Sequence, residues 1–237
     1  MARAKLVAQA ADDLPERIEL AATRLFIRDG FNGASFLALG KELGISHSNI
    51  HYYFRTKLGL AEAVLKRVAA ETVSVTSRIW RDPDSSLVEK VLRMRDWIHG
   101  SYLQFNPDGK GARPWGLLSR FSMDADALTP EMRKLIRATL KRQENDIRYA
   151  IDLAIRLGEF RADAPADGIA LQVLSVIHLT GQLTRYSADF SRLDDLLRWT
   201  VVTLDRAYGA RARSIIWPAP GAGPESLSQS AGRGDAK

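Results

Sequence analysis

The sequence predicts an all-α protein: an N-terminal three-helix unit containing a helix-turn-helix, followed by a larger helical domain. Three observations carry this. Apolar residues recur at helical spacing along most of the chain, and no stretch alternates apolar and polar residues as a half-buried strand does. Between Ser35 and Lys57 (SFLALGKELGISHSNIHYYFRTK), two short helical patterns are broken by a glycine turn. Hydrophobic residues make up 46% of 237, enough to bury a core, so a folded chain is expected.

The elements follow in order. Residues 1–13 read as a flexible arm, a frayed terminus in the plainer reading, the alternative being that Arg3 and Lys5 trail along phosphates. A first helix is predicted over 15–29. Pro15 suits its first turn, Glu16 and Glu19 favour the positive end of the dipole, and Ile18, Ala21, Ala22, Leu25 and Phe26 form one apolar stripe. Gly30 ends it. Ser35 is the expected N-cap of a second helix whose Phe36, Leu39 and Leu43 share a face. Gly44 supplies the positive φ of the turn and Ile45 plugs the corner. Ser46 then caps a third helix, with Ile50 and Phe54 inward and His47, Ser48, Asn49, His51 and Tyr52 outward. A polar outer face on the second helix of such a pair is the layout that enters a DNA major groove.

Thr56 is expected to cap a long helix over 57–80, with Leu58, Ala61, Val64, Leu65 and Val68 on its buried side. Pro83 breaks the pattern at 81–84. Further helices are predicted over 85–105, 115–123 and 130–157, the last capped by Thr129 and ended by Gly158. Residues 106–111 (NPDGKG) form a loop. Two amphipathic helices over 166–186 and 192–208 follow, and the Pro/Gly/Ser/Ala-rich stretch 218–237 is expected to be disordered. The expected domains are therefore an arm (1–13), a helix-turn-helix domain (14–56), a larger helical domain (57–210) and a tail (218–237).

The stretch around the glycine turn resembles the DNA-binding motif of tetracycline-repressor (TetR) family regulators. The matching pieces are Gly30-Phe31, Ser35, Gly44-Ile45-Ser46, Tyr52-Tyr53-Phe54 and Lys57, within about residues 18–65. Two positions depart from the family pattern. His51 stands where tyrosine is usual, and Gly40 where alanine is usual, at a cost to the helix of up to about 1 kcal/mol. The resemblance implies a DNA contact set of Ser35, Ser46, His47, Ser48, Asn49, His51, Tyr52, Tyr53 and Lys57. His47, Ser48 and Asn49 occupy the first turn, where side chains reach base edges; asparagine reads adenine bidentately and histidine hydrogen-bonds guanine. Tyr53 and Lys57 match positions that hold phosphates, which set register and affinity. Tyr52 suits either the interior or DNA.

The resemblance further implies a homodimer on a palindromic double-stranded DNA operator, with the last two long helices of each subunit packing as a four-helix bundle. Gly181, Leu196, Leu197, Val201 and Leu204 are the expected contacts there, the alternative being that both stripes fill the subunit's own core. It also implies a small-molecule effector held in the second domain. Trp97, Tyr102, Phe105, Trp115, Phe121, Tyr149 and His178 are the candidate lining residues, weighed against a plain core role, since pockets between helices are apolar and aromatic. Repression released by the effector is the family's habit.

Composition bounds the alternatives. Cysteine is absent, which excludes disulfides and thiolate chemistry. No apolar run is long enough to span a bilayer and the N-terminus carries no long apolar signal core, so a cytoplasmic protein with no membrane partner is expected. The net charge of +6 suits a polyanion. An enzyme is the competing class, through His99 with Asp96 or His178 with Ser175, but no nucleophile motif, phosphate loop or metal-ligand cluster joins either pair. No catalytic residue, metal or cofactor is therefore expected. A structural, nucleoid-type DNA binder is a further alternative, against which the long second domain speaks.

Overall fold

The computed structural model describes residues 14–211 and 214–221. The arm over 1–13 and most of the expected tail lie outside them. Nine α-helices run in order among the described residues: α1 Leu14–Gly33, α2 Phe36–Leu43, α3 His47–Phe54, α4 Lys57–Trp80, α5 Leu87–Leu103, α6 Leu117–Met123, α7 Pro130–Arg156, α8 Ala166–Ser187 and α9 Ser191–Tyr208. One 3-10 turn, Ala125–Ala127, separates α6 from α7.

Local chemistry sets most boundaries. Ser35 Oγ accepts from the Ala38 amide at 3.1 Å and Ser46 Oγ from the Asn49 amide at 3.3 Å. Gly44 ends α2 at φ 67°. The Gly59 amide donates to Thr56 Oγ1 at the start of α4, and the Met132 amide to Thr129 Oγ1 at the start of α7. α5 opens with a reciprocal capping box between Ser86 and Glu89. Gly158 leaves α7 at φ 71°. The one boundary that differs in kind is α1. The helix breaks at Gly30 (φ 74°, ψ 176°) as expected, but resumes for one more turn to Gly33.

The chain forms two compact units. The first joins the residues up to Thr72 with Gly116–Thr139; the second joins Val73–Trp115 with the residues from Leu140 onward. The expected boundary at 56/57 is thus displaced into α4, and the segment carrying α6 belongs to the first unit.

In the first unit, Ile18, Ala21, Ala22, Leu25 and Phe26 of α1 are buried with Leu39 of α2, Ile50 of α3 and Leu60, Val64 and Leu65 of α4. Phe121 of α6 meets Phe26 edge-on at 5.5 Å. Breaking the helix at Gly30 turns the Phe31 amide outward from the helical ladder, and Asp124 Oδ2 accepts it at 2.8 Å.

In the second unit one core gathers Trp80, the α5 residues Leu87, Val91, Met94 and Ile98, the α7 residues Ile147 and Ile151, and the inner faces of α8 and α9. Asp146 is fully buried there. Burial alone would raise its pKa, but hydrogen bonds from Ser77, Arg81 and Arg142 outweigh that and hold it below the usual carboxylate value. The first residues of the expected disordered tail are seated, a correction to the compositional reading. Pro218 and Ala219 accept hydrogen bonds from Arg95, and the Gly221 amide donates to Asp96.

Candidate nucleic-acid interface and second-unit crevice

The glycine turn sets the angle between α2 and α3. Gly40 explains its departure from the family pattern: a Cβ there would lie 2.8 Å from the Ile45 carbonyl oxygen, so the turn closes against a position that only glycine leaves free. α3 is held from beneath by Ile50, which is 0% exposed. Around that anchor His47, Ser48, Asn49, His51, Tyr52 and Tyr53 are exposed. Tyr52 is 80% exposed and packs edge-on to Tyr53 at 5.0 Å, so of the two orientations open to it in the sequence it takes the outward one.

The two histidines are not free rotors. Their rings lie 4.3 Å apart, and the Phe36 ring stands 5.0 Å from His51 and 5.7 Å from His47. His51 Nδ1 lies 2.7 Å from the Arg55 carbonyl oxygen, which can only accept, so Nδ1 carries the proton and Nε2 is left for a partner outside the helix. That bond satisfies a carbonyl beyond the end of α3, where Arg55 sits at φ 49°.

Lys57 is placed differently from the phosphate clamp that the resemblance implies. Its ammonium donates to the Ala34 carbonyl at 3.1 Å and the Asn32 carbonyl at 3.5 Å, and lies 4.6 Å from the Phe31 ring centroid. It pins the α1–α2 connection, with at most one N–H left over. Ser35 and Ser46 act as helix caps.

The seven candidate lining residues are divided between the two units. Phe121 lies in the first unit against Phe26, whereas the other six lie in the second. Among those, Tyr102 is 0% exposed and donates its hydroxyl to the Gly111 carbonyl. Trp115 Nε1 donates to Thr184 Oγ1 at 2.8 Å, and Trp97 packs against the core. Phe105 is half-buried. Arg81 and Arg156 lie 4.9 Å and 5.8 Å from the Tyr149 ring centroid. His178 Nε2 is buried without a hydrogen-bond partner, and burial pushes its pKa down.

A small gap, with room for about one water, lies in the core of the second unit, lined by none of the seven. Trp80 of α4, Leu87, Val91 and Met94 of α5, Val173 and Ile177 of α8, and Leu197, Val201 and Leu204 of α9 form its walls. The hydroxyl of Thr200, also in the wall, is committed to the Leu196 carbonyl at 2.7 Å, so the walls are chemically apolar. Periodicity reported these residues as core, and in the structure they are packed as core.

The apolar face left uncovered on α8 and α9 also differs from the expected one. Leu197, Val201 and Leu204 are buried in the unit's own core, as the alternative reading had it. The large exposed apolar residues are Leu171, Leu179 and Tyr186 on α8, spaced to share one face, and Trp199 on α9.

With that geometry in hand, similarity to known proteins is informative. The family described as "Bacterial regulatory proteins, tetR family" matches residues 19–64, which span α1 to α4 and contain the turn. An HTH-type transcriptional regulator BetI of Vibrio vulnificus is 26% identical over 157 residues, 66% of this chain and 74% of that protein. An uncharacterised HTH-type transcriptional regulator of Haemophilus influenzae is 42% identical over 60 residues, 25% of this chain and 32% of its own. Among solved structures, a TetR-family regulator from Agrobacterium tumefaciens superposes with a TM-score of 0.71 at 17% identity, covering 83% of this chain and 98% of that one. A TetR regulator from Chloroflexus aurantiacus gives 0.70 at 19%, covering 85% and 98%. At these identities the structures speak to the fold, which is all-α with an N-terminal helix-turn-helix.

Proposed function

The chain is a DNA-binding transcriptional regulator of the tetR family, and from that premise we propose that it binds a palindromic operator as a homodimer and represses until a small molecule in its second unit releases it. The observation that carries the DNA reading is α3 itself: one buried anchor, Ile50, beneath an exposed face in which His47, Ser48, Asn49, His51, Tyr52 and Tyr53 each carry a hydrogen-bonding group. His47, Ser48 and Asn49 at its first turn are the base-reading set, with His51 Nε2 and Tyr52 beside them. Tyr53, Ser35 and Ser46 border the phosphate backbone, and Lys57 contributes mainly by fixing the loop beneath α3.

Dimerisation is supported by the exposed Leu171, Leu179, Tyr186 and Trp199. Large apolar side chains exposed on the last two helices fit a second copy of the same helices. The small-molecule reading rests on the likeness to tetR-family regulators, since the gap in the second-unit core has room for about one water. The chain acts as a binding protein rather than a catalyst. No described helix is long and apolar enough to cross a membrane, which suits a place in the cytoplasm beside the DNA.

The test is selection of DNA fragments from a random pool by the purified protein, followed by sedimentation of the complex. Enrichment of an inverted repeat bound by two chains is the expected result. Binding without sequence preference would leave only the structural DNA binder.

A further inference from the structure

His47 and His51 stand four residues apart on α3, so their rings share one face of the helix. Both side chains are exposed. Their ring centroids lie 4.3 Å apart, with the ring planes 69° to each other. Phe36 of α2 flanks the pair, 5.7 Å from the His47 ring and 5.0 Å from that of His51, and limits where either can swing. Two histidines at this spacing form the helical half of a zinc site, because one turn of helix brings both imidazoles within reach of a single ion.

Hydrogen bonding separates a ligand pair from two rings that merely pack. A metal-bound imidazole uses one nitrogen for the ion and fixes the other against a carbonyl or carboxylate acceptor. His51 already has that arrangement. Its Nδ1 lies 2.7 Å from the Arg55 carbonyl oxygen, so Nδ1 carries the proton and Nε2 presents a lone pair to solvent. Among the described residues neither ring nitrogen of His47 has a hydrogen-bond partner; its ring meets those of Phe36 and His51. With metal–nitrogen distances of about 2.0–2.1 Å, two nitrogens on one tetrahedral ion lie about 3.3 Å apart. Rings whose centroids are 4.3 Å apart reach that separation by side-chain rotation on a fixed helix. No group of three or more histidine, cysteine or carboxylate side chains able to hold an ion occurs among the described residues. The pair therefore supplies two ligands, and water completes the shell. Imidazole nitrogen suits zinc and copper and not magnesium, which takes oxygen.

We propose that His47 and His51 chelate one late first-row divalent ion, zinc or copper, on the exposed face of α3. The ion occupies His51 Nε2 and a His47 nitrogen, the atoms that the proposed function turns toward base edges. Metal and DNA therefore compete for α3. That competition rests on the proposed function; the chelate does not.

The probe is ZnCl2, titrated calorimetrically into the full chain carrying no affinity tag, with MgCl2 as control. Zinc binds at one site and magnesium does not. Copper binds more tightly than zinc, as the stability order of these ions requires. His47→Ala and His51→Ala each weaken zinc by at least about tenfold, since a chelate loses both contacts when either ring is gone. Zinc raises the melting temperature of the native chain and of neither variant, and melting without metal shows that both variants fold. Absence of zinc binding would overturn the proposal. So would zinc affinity that either variant retains, or magnesium bound as tightly as zinc. A last arm measures DNA, using the inverted repeat selected without metal. Zinc at saturation lowers its affinity at least about tenfold in the native chain and leaves both variants unchanged. Zinc binding that needs both histidines, with DNA affinity unchanged or raised, keeps the chelate and defeats the placement of the pair against DNA. A fall in DNA affinity that is equal in the native chain and both variants defeats the chelate as its cause.

Discussion

Removing the Asp124 carboxylate tests how the helix-turn-helix unit is braced. Gly30 lies at φ 74°, ψ 176°, a region essentially reserved for glycine, so the chain leaves the helical ladder there. The Phe31 amide that this frees is taken by Asp124 Oδ2 at 2.8 Å, with Arg120 3.9 Å from the same oxygen. A hydrogen bond to a charged group contributes about 1.5–3 kcal/mol. The Asp124 side chain is 19% exposed, which places Asp124→Ala in the lower half of that range, about 1.5–2 kcal/mol. At about 2–4 °C per kcal/mol for a chain of this size, the melting temperature should fall by about 3–8 °C. Asp124→Asn keeps an acceptor oxygen and loses the charge, so its loss should be about half as large. Gly30→Ala adds backbone strain of about 1–3 kcal/mol, and its Cβ would lie 2.8 Å from Asp124 Oδ2. The two changes therefore act on one contact, and Asp124→Ala should cost clearly less in the Gly30→Ala background than in the native one. Calorimetric melting of the four proteins is the assay. Full additivity, or a melting temperature for Asp124→Ala within about 1 °C of native, would refute the brace.

Asn49→Ala should relax sequence preference at one operator position by about 1–3 kcal/mol without altering the salt slope, checked by selection from a randomised operator pool. Lys57→Met should lower thermal stability, because the amine supports the Ala34 and Asn32 carbonyls; the slope of log affinity against log salt should fall by less than about 0.9 per subunit. A full-unit loss at unchanged stability would return Lys57 to the phosphates. The Ser85 hydroxyl, then the Asp84 amide and Arg93, hold the Asp82 carboxyl down at about 2 against an ordinary 3.8. Its contribution is thus complete above the unfolded value and lost as pH falls toward the folded one. The stability difference between native protein and Asp82→Asn should shrink from pH 5 to below pH 3 in urea titrations; a constant difference would contradict this assignment.

What the sequence made legible was local. Ser35, Gly44, Ser46, Thr56 and Thr129 each announce a cap or turn through chemistry within four residues, and each forms it. What it hid depends on residues far apart in the chain. The resumption of α1 after Gly30 accompanies a carboxylate 93 positions away. Phe121 reads like the other aromatics because helical spacing gives a face but not the partner it meets. Lys57 invites a phosphate until the carbonyls of Asn32 and Ala34 are seen beneath it. Gly40 registers as a weakness of α2, since the Ile45 oxygen that excludes a Cβ is a property of the closed turn. Arg95 carried one usable signal, a charge within an otherwise apolar stripe of α5, but nothing in a Pro/Gly-rich tail pointed to Trp217 as its cover.

The packed rings of His47, His51 and Phe36 give α3 a built-in spectroscopic voice. A proton held near the face or edge of a neighbouring ring has its magnetic resonance displaced by that ring's circulating electrons. With only four histidines in the chain, their imidazole C–H signals form a sparse, separable set. The two from α3 carry the imprint of rings 4.3–5.7 Å away, while His99 and His178 belong to the second unit. Unlabelled protein thus reports the two units on separate lines of one proton spectrum. Events around α3 and rearrangement within the second unit can then be followed independently in the same tube.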